Sequence, residues 1–288
     1  MDEIKCYKPS RKHTITKVFG ITALMLLMLV SITGIAHFAN SKDWNKEGVD
    51  LNSLGKYDEA VLAFDKAIKI NPQDSLAWFN KGVALDNLNR SEEAIKAYDK
   101  AIEIDPHDSD FWNNKGLSLA ELGNYNAAVI AFDKVLEINP QDSQAWDNKG
   151  VALNRLGKYD EAITVYDKAI ETDPHNSLAW FNKGLSLVAL KQPEEAIKAF
   201  DKAIEIDPQS SSAWYNKGNA LYDLNKPDEA VKAYDKSIEI NPKYSMAWNN
   251  KGVALDKLNK HEEAIKAYDK AIEIDPQNSL AWSNKRNV

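Results

Sequence analysis

The sequence predicts an all-α solenoid of seven 34-residue helical hairpins and part of an eighth, preceded by a single transmembrane helix. Three observations carry this. The eight tryptophans (Trp44, Trp78, Trp112, Trp146, Trp180, Trp214, Trp248 and Trp282) stand 34 residues apart without exception. Gly48 and its equivalents through Gly252 follow the first seven tryptophans by four residues, and Pro72 and its equivalents through Pro276 close the units. A fixed period of this length marks a stacked array, in which each unit buries its apolar face against its neighbours. Third, Val18 to Phe38 is a 21-residue run without Asp, Glu, Lys or Arg.

The N-terminal elements come first. Residues 1–17 carry five basic residues against Asp2 and Glu3 and read as a cytoplasmic segment. As a helix rising about 1.5 Å per residue, residues 18–38 span roughly the 30 Å hydrocarbon core. The basic excess ahead of the run leaves the N-terminus inside and turns the repeats outward. A cleaved signal peptide is the alternative, with Gly34-Ile35-Ala36 as its small residues, and would make the protein secreted.

The array spans residues 41–278 as units 41–74, 75–108, 109–142, 143–176, 177–210, 211–244 and 245–278, with 279–288 as a partial eighth. In the second unit Trp78, Gly82, Leu85 and Leu88 form one helical stripe, and Ala94, Ala97, Tyr98, Ala101 and Ile102 form another. Between them Asn89, or Gly55, Gly123 and Gly157 in other units, suits the left-handed residue that ends a helix, whereas Lys191 departs from that pattern. Pro193 and Pro227 open second helices, where a missing N–H costs nothing. One hairpin cannot cover both stripes, so the units stack.

These residues resemble the tetratricopeptide repeat, whose signature runs Trp-x2-Leu-Gly-x2-Tyr, Ala-x3-Phe, Pro. Two departures are systematic: Lys81 and its equivalents precede the glycine, and Leu85 and its equivalents stand where the family has Tyr. The lysines read as stems lying on the helix surface with solvated heads. The resemblance implies a right-handed superhelix whose first helices line a concave groove for an extended peptide or partner helix. A carboxylate clamp for chaperone tails is not supported, because no Lys stands at the fifth position of any unit.

Chemistry of other kinds finds little support. The net charge of −7 becomes −10 over residues 41–288, against a nucleic-acid partner. Cys6 is the only cysteine, so the array has neither disulfide nor thiolate metal site. Metalloprotease, P-loop and dinucleotide motifs are missing from the sequence, so no cofactor and no enzymatic activity is expected. The recurring Asp-Lys pairs, such as Asp99-Lys100, read as a salt-bridged outer face ahead of a cation-binding ladder.

The expected ligand surface is the groove. Asn80, Asn114, Asn148, Asn182, Asn216 and Asn250 recur at the sixth position. Two readings stand: a ladder that pairs with a peptide backbone, or copied residues bonding locally within the array. The fifth position is aromatic at Phe79, Phe181 and Tyr215, and the last two, with Asn219 and Tyr222, make units five and six the most aromatic stretch. They are either interface anchors or packing between first helices. The expectation is a membrane-anchored scaffold that binds protein segments, with a structural spacer or self-associating filament as the alternative.

Overall fold

The computed structural model describes residues 41–288. Among the described residues there are fifteen helices and no strands. They pair as α1 (Ser41–Ser53) with α2 (Tyr57–Ile70), α3 (Ser75–Asn87) with α4 (Ser91–Ile104), α5 (Ser109–Glu121) with α6 (Tyr125–Ile138), and α7 (Ser143–Arg155) with α8 (Tyr159–Thr172). Then follow α9 (Ser177–Ala189) with α10 (Pro193–Ile206), α11 (Ser211–Asp223) with α12 (Pro227–Ile240), α13 (Ser245–Lys257) with α14 (His261–Ile274), and the unpaired α15 (Ser279–Arg286). The expected transmembrane helix, residues 18–38, lies outside the described residues. Among those described, no helix is long and apolar enough to cross a membrane.

Local chemistry sets the helix ends. Asp74, Asp142, Asn176, Ser210 and Asn278 each accept a backbone N–H in the first turn of the first helix that follows. Each hairpin turn holds one residue at positive φ: Gly55, Asn89, Gly123, Gly157, Lys191, Asn225 and Asn259. The next N–H reaches back to close the turn, as Arg90 does to the Leu85 carbonyl at 2.9 Å. Lys191 adopts this conformation at φ 59° in spite of its Cβ. Lys191→Gly is therefore expected to stabilise the fold by about 1 kcal/mol, read as a higher urea midpoint.

Glycine is needed where the two helices of a hairpin cross. A Cβ on Gly82, Gly150, Gly184, Gly218 or Gly252 would stand under 3.0 Å from the nearest ring carbon of Tyr98, Tyr166, Phe200, Tyr234 or Tyr268. Gly218→Ala is expected to lower stability by about 1–3 kcal/mol although alanine is the better helix former. An unchanged urea midpoint would contradict the crossing.

The tryptophan period has its own reason. The Trp78 indole N–H donates to the Pro72 carbonyl at 3.0 Å, and Trp112, Trp146 and Trp248 do the same to Pro106, Pro140 and Pro242. The Lys81 ammonium lies 5.5 Å from the Trp78 ring centroid and 2.6 Å from Asp65 on the preceding second helix. The same pairing recurs from Lys115–Asp99 through Lys285–Asp269. The lysine heads are thus paired between repeats and only partly exposed, a correction to the sequence reading of solvated heads. The Asp of each Asp-Lys pair belongs to this joint, while in six of the seven pairs the Lys bonds a Glu three residues on, as in Lys134–Glu137 at 2.6 Å, and in the first pair Lys66 lies over the Trp44 ring.

The described residues form two compact units that divide inside α6, one ending at Ala131 and the other starting at Phe132. In the first, α1 touches α3 and α3 touches α5, whereas α2 and α4 do not meet. In the second, α7, α9, α11, α13 and α15 touch in succession, whereas α8, α10, α12 and α14 do not meet one another. Within each unit the first helices therefore form the inner layer.

Candidate functional site

The inner layer carries the residues picked out from the sequence, and much of their chemistry is spent inside the array. In the first unit Asn80 donates to Asn45 at 3.0 Å, and Asn114 donates to the Asp110 carbonyl of its own helix at 2.8 Å. Phe79 is half-buried, with its ring 5.8 Å from Tyr98 and 5.0 Å from Phe111. Below it, Asp86 accepts from both the Tyr98 hydroxyl and Ser118 at 2.7 Å. Burial, and then the Asp86 charge, hold the Tyr98 phenol well above its usual pKa, so it stays a neutral donor.

The second unit repeats the device. Asn182 donates to Asp147 at 3.1 Å and Asn284 to Asn249 at 3.0 Å. Asn250 donates to the Tyr215 hydroxyl at 3.0 Å and to Asn219 at 2.9 Å, and its own oxygen accepts from Asn249. Asn148 and Asn182 are buried. Asn216 is half-buried and donates to the Ser212 carbonyl at 2.9 Å. The sixth-position amide thus ties its helix to the fifth-position residue of the preceding repeat in four places. For these the local reading of the asparagine ladder holds. The sequence signal that could have found it is the polar residue standing 35 positions earlier: Asn45, Asp147, Tyr215 or Asn249.

Tyr215 requires a second correction. It is only 4% exposed, with its ring 4.9 Å from Tyr244 and 6.0 Å from Tyr234. It belongs to the core between repeats and is not an open anchor. The cause is Tyr244, which stands where other repeats have a capping Asp, Asn or Ser; it makes no side-chain cap and instead covers Tyr215. Asn219 accepts from the Tyr234 hydroxyl at 2.8 Å and is half-buried.

What remains accessible is apolar and lies mainly on α9. Phe181 is half-buried and tilts against Phe200 at 5.9 Å. Leu185 and Val188 are half-buried, and Leu178 and Ala189 are exposed. Tyr222 on α11 is half-buried under the Lys257 ammonium at 4.6 Å. Sequence reasoning missed Leu178 and Ala189. Their signal is that positions 2, 5, 9, 12 and 13 are all apolar in the fifth repeat alone.

Two open clefts of about 610 and 520 Å³ recur away from this surface, one lined by Trp214, Lys217, Glu229 and Lys232, the other by Trp248, Lys251, Glu263 and Lys266. Among the described residues no three His, Cys, Asp or Glu side chains come together as a metal site.

The tetratricopeptide repeat family matches residues 45–109, 105–143, 113–177, 148–211 and 215–279. No curated protein matches the chain. Among solved structures the chain is similar to YrrB, described as a TPR protein with an unusual peptide-binding site, at 28% identity over 67% of this chain and 99% of that one, with a TM-score of 0.56. It is similar to MamA from Desulfovibrio magneticus at 25% identity, over 59% and 96% of the two chains, with a TM-score of 0.56. PilF of Pseudomonas aeruginosa shares the fold at 18% identity, over 76% and 100%, with a TM-score of 0.63. The repeat signature, the hairpin geometry and the extent of the family match agree, and the chain belongs to the tetratricopeptide repeat family.

Proposed function

We propose that this protein is a non-catalytic scaffold whose second unit receives a segment of a partner protein on the inner layer of first helices. The observation that carries the reading is the accessible apolar surface of Phe181, Leu185, Val188 and Tyr222 on that layer, beside the half-buried amides of Asn216 and Asn219. The likeness to YrrB, described by its peptide-binding site and 28% identical, supports it. Apolar and aromatic groups on a preformed concave face anchor a ligand, and neighbouring polar groups fix its direction. Residues 18–38 would tether the scaffold to a membrane with the repeats outside the cytoplasm. Protease added to intact cells then digests the repeats and leaves an anchor fragment in the membrane.

The groove is tested with a photo-crosslinking amino acid placed in the full chain at Asp223, at the end of α11, or at Lys236 on the outer helix α12. Both positions are exposed. A discrete partner band is expected from position 223 and none from position 236. Equal labelling from both, or labelling from the outer position alone, would overturn the proposal.

A further inference from the structure

We infer that Asn89 is a glycosylation site, whose side-chain amide receives a saccharide from a lipid-linked donor as the chain leaves the cytoplasm. The inference rests on the outward placement of the repeats proposed above. Asn89-Arg90-Ser91 is an Asn-x-Ser triplet without proline at its centre, the acceptor sequence for N-linked sugars. No other asparagine of the chain has Ser or Thr two residues on. Such a triplet also arises by chance, so the fold has to offer a side chain that can carry a sugar.

It does so at the turn between α3 and α4. Asn89 holds that turn at φ 57°, and backbone bonds close it: the Asn89 N–H to the Asp86 carbonyl at 3.0 Å, and the Arg90 N–H to the Leu85 carbonyl at 2.9 Å. The turn therefore does not depend on the amide, and Gly serves in its place at Gly55, Gly123 and Gly157. Asn89 is exposed, unlike the buried amides of Asn148 and Asn182, so a bulky hydrophilic group attached there displaces only water. Asn225 and Asn259 hold the same turn, but Pro227 and His261 follow them where the triplet needs a hydroxyl. Every repeat other than the second has Tyr, Pro or His at the Ser91 position. Ser91 is also not required as a helix cap, because α4 starts after Arg90 without a side-chain cap.

Ser91 sets the timing. At 8% exposure its hydroxyl is out of an enzyme's reach once α4 has packed, so transfer takes place on the extended segment during export. In that step Nδ2 of Asn89 forms a bond to the anomeric carbon of a saccharide carried on a lipid diphosphate. The bond from that carbon to the diphosphate oxygen breaks, the lipid diphosphate leaves with the electron pair, and the amide gives one proton to a base of the transferase.

The experiment produces the full chain with a C-terminal tag in its native host. Wild type should run as a slower band on a denaturing gel, and tandem mass spectrometry should place sugar mass on Asn89. The shift should be lost in Asn89→Gly and in Ser91→Ala and kept in Ser91→Thr, a pattern that a structural role for either residue would not produce. Asn89→Gly should not lower the melting temperature, since Gly adopts positive φ freely. His261→Ser is the control, because it completes the same triplet behind Asn259, which is exposed in the equivalent turn of the seventh repeat. An unshifted wild type beside a shifted His261→Ser chain overturns the inference and leaves the outward placement standing. A shift that survives Asn89→Gly also overturns it. If neither chain shifts, the inference fails, and protease added to intact cells decides the placement separately: digested repeats keep it and protected repeats remove it as well.

Discussion

Tyr215→Ala should destabilise the second unit by about 3–5 kcal/mol, the range for emptying a large buried aromatic site. The ring fills the space between Tyr234 and Tyr244, in a cluster with Leu221, Ala230 and Ala233. Its removal leaves a cavity lined by residues of two successive repeats, and it takes an acceptor away from Asn250. Tyr215→Phe keeps the packing and loses only the hydroxyl, so it should cost about 1 kcal/mol. Urea unfolding of both variants separates the two contributions. In a solenoid such a defect falls on one interface, so the transition should broaden or split as well as shift. A loss below about 1 kcal/mol for the alanine variant would mean that Tyr215 stands open to solvent, which its burial contradicts.

Tyr215 also shows where the sequence stopped being informative. The period, the hairpins, the left-handed turns at Gly and Asn and the apolar stripes were legible, because each depends on residues within one repeat. The tie from Asn250 to Tyr215 and the pairing of Lys81 with Asp65 join different repeats. An array of near-copies disguises such links, since every position recurs whether or not it has a partner. Tyr244 is the clearest case: one departure from a capping residue converts an expected groove anchor into core. The apolar α9 stripe was half legible. Phe181 drew attention, but the exposure of Leu178 and Ala189 depends on how successive first helices stack. Residues 18–38 were read from length and charge alone and lie outside the described residues.

The same inner row holds an ionisable group that makes stability depend on pH. Asp147 is 1% exposed; one carboxylate oxygen accepts from Asn182, and the other has no hydrogen-bond partner among the described residues. Burial pushes its pKa from 3.8 up to about 7, and the Asn182 bond offsets only part of that rise. Between these two values folding therefore takes up a proton. Stability is greatest below about pH 4, falls as pH rises towards 7, and changes no further above it for this group. A tenfold change in proton affinity is worth about 1.4 kcal/mol, so the charged form costs up to about 4 kcal/mol at pH 8. Asn45 and Asn249 fill the equivalent position and accept from Asn80 and Asn284, so an amide can accept there without charge. Asp147→Asn should match the wild type near pH 4 and exceed it by roughly 2–4 kcal/mol at pH 8, with the gap opening between those values. Because every other carboxylate is common to both proteins, the difference between their urea midpoints isolates this group. Parallel stability curves from pH 4 to 8 would show that Asp147 ionises without penalty, against the electrostatic cost that its burial implies.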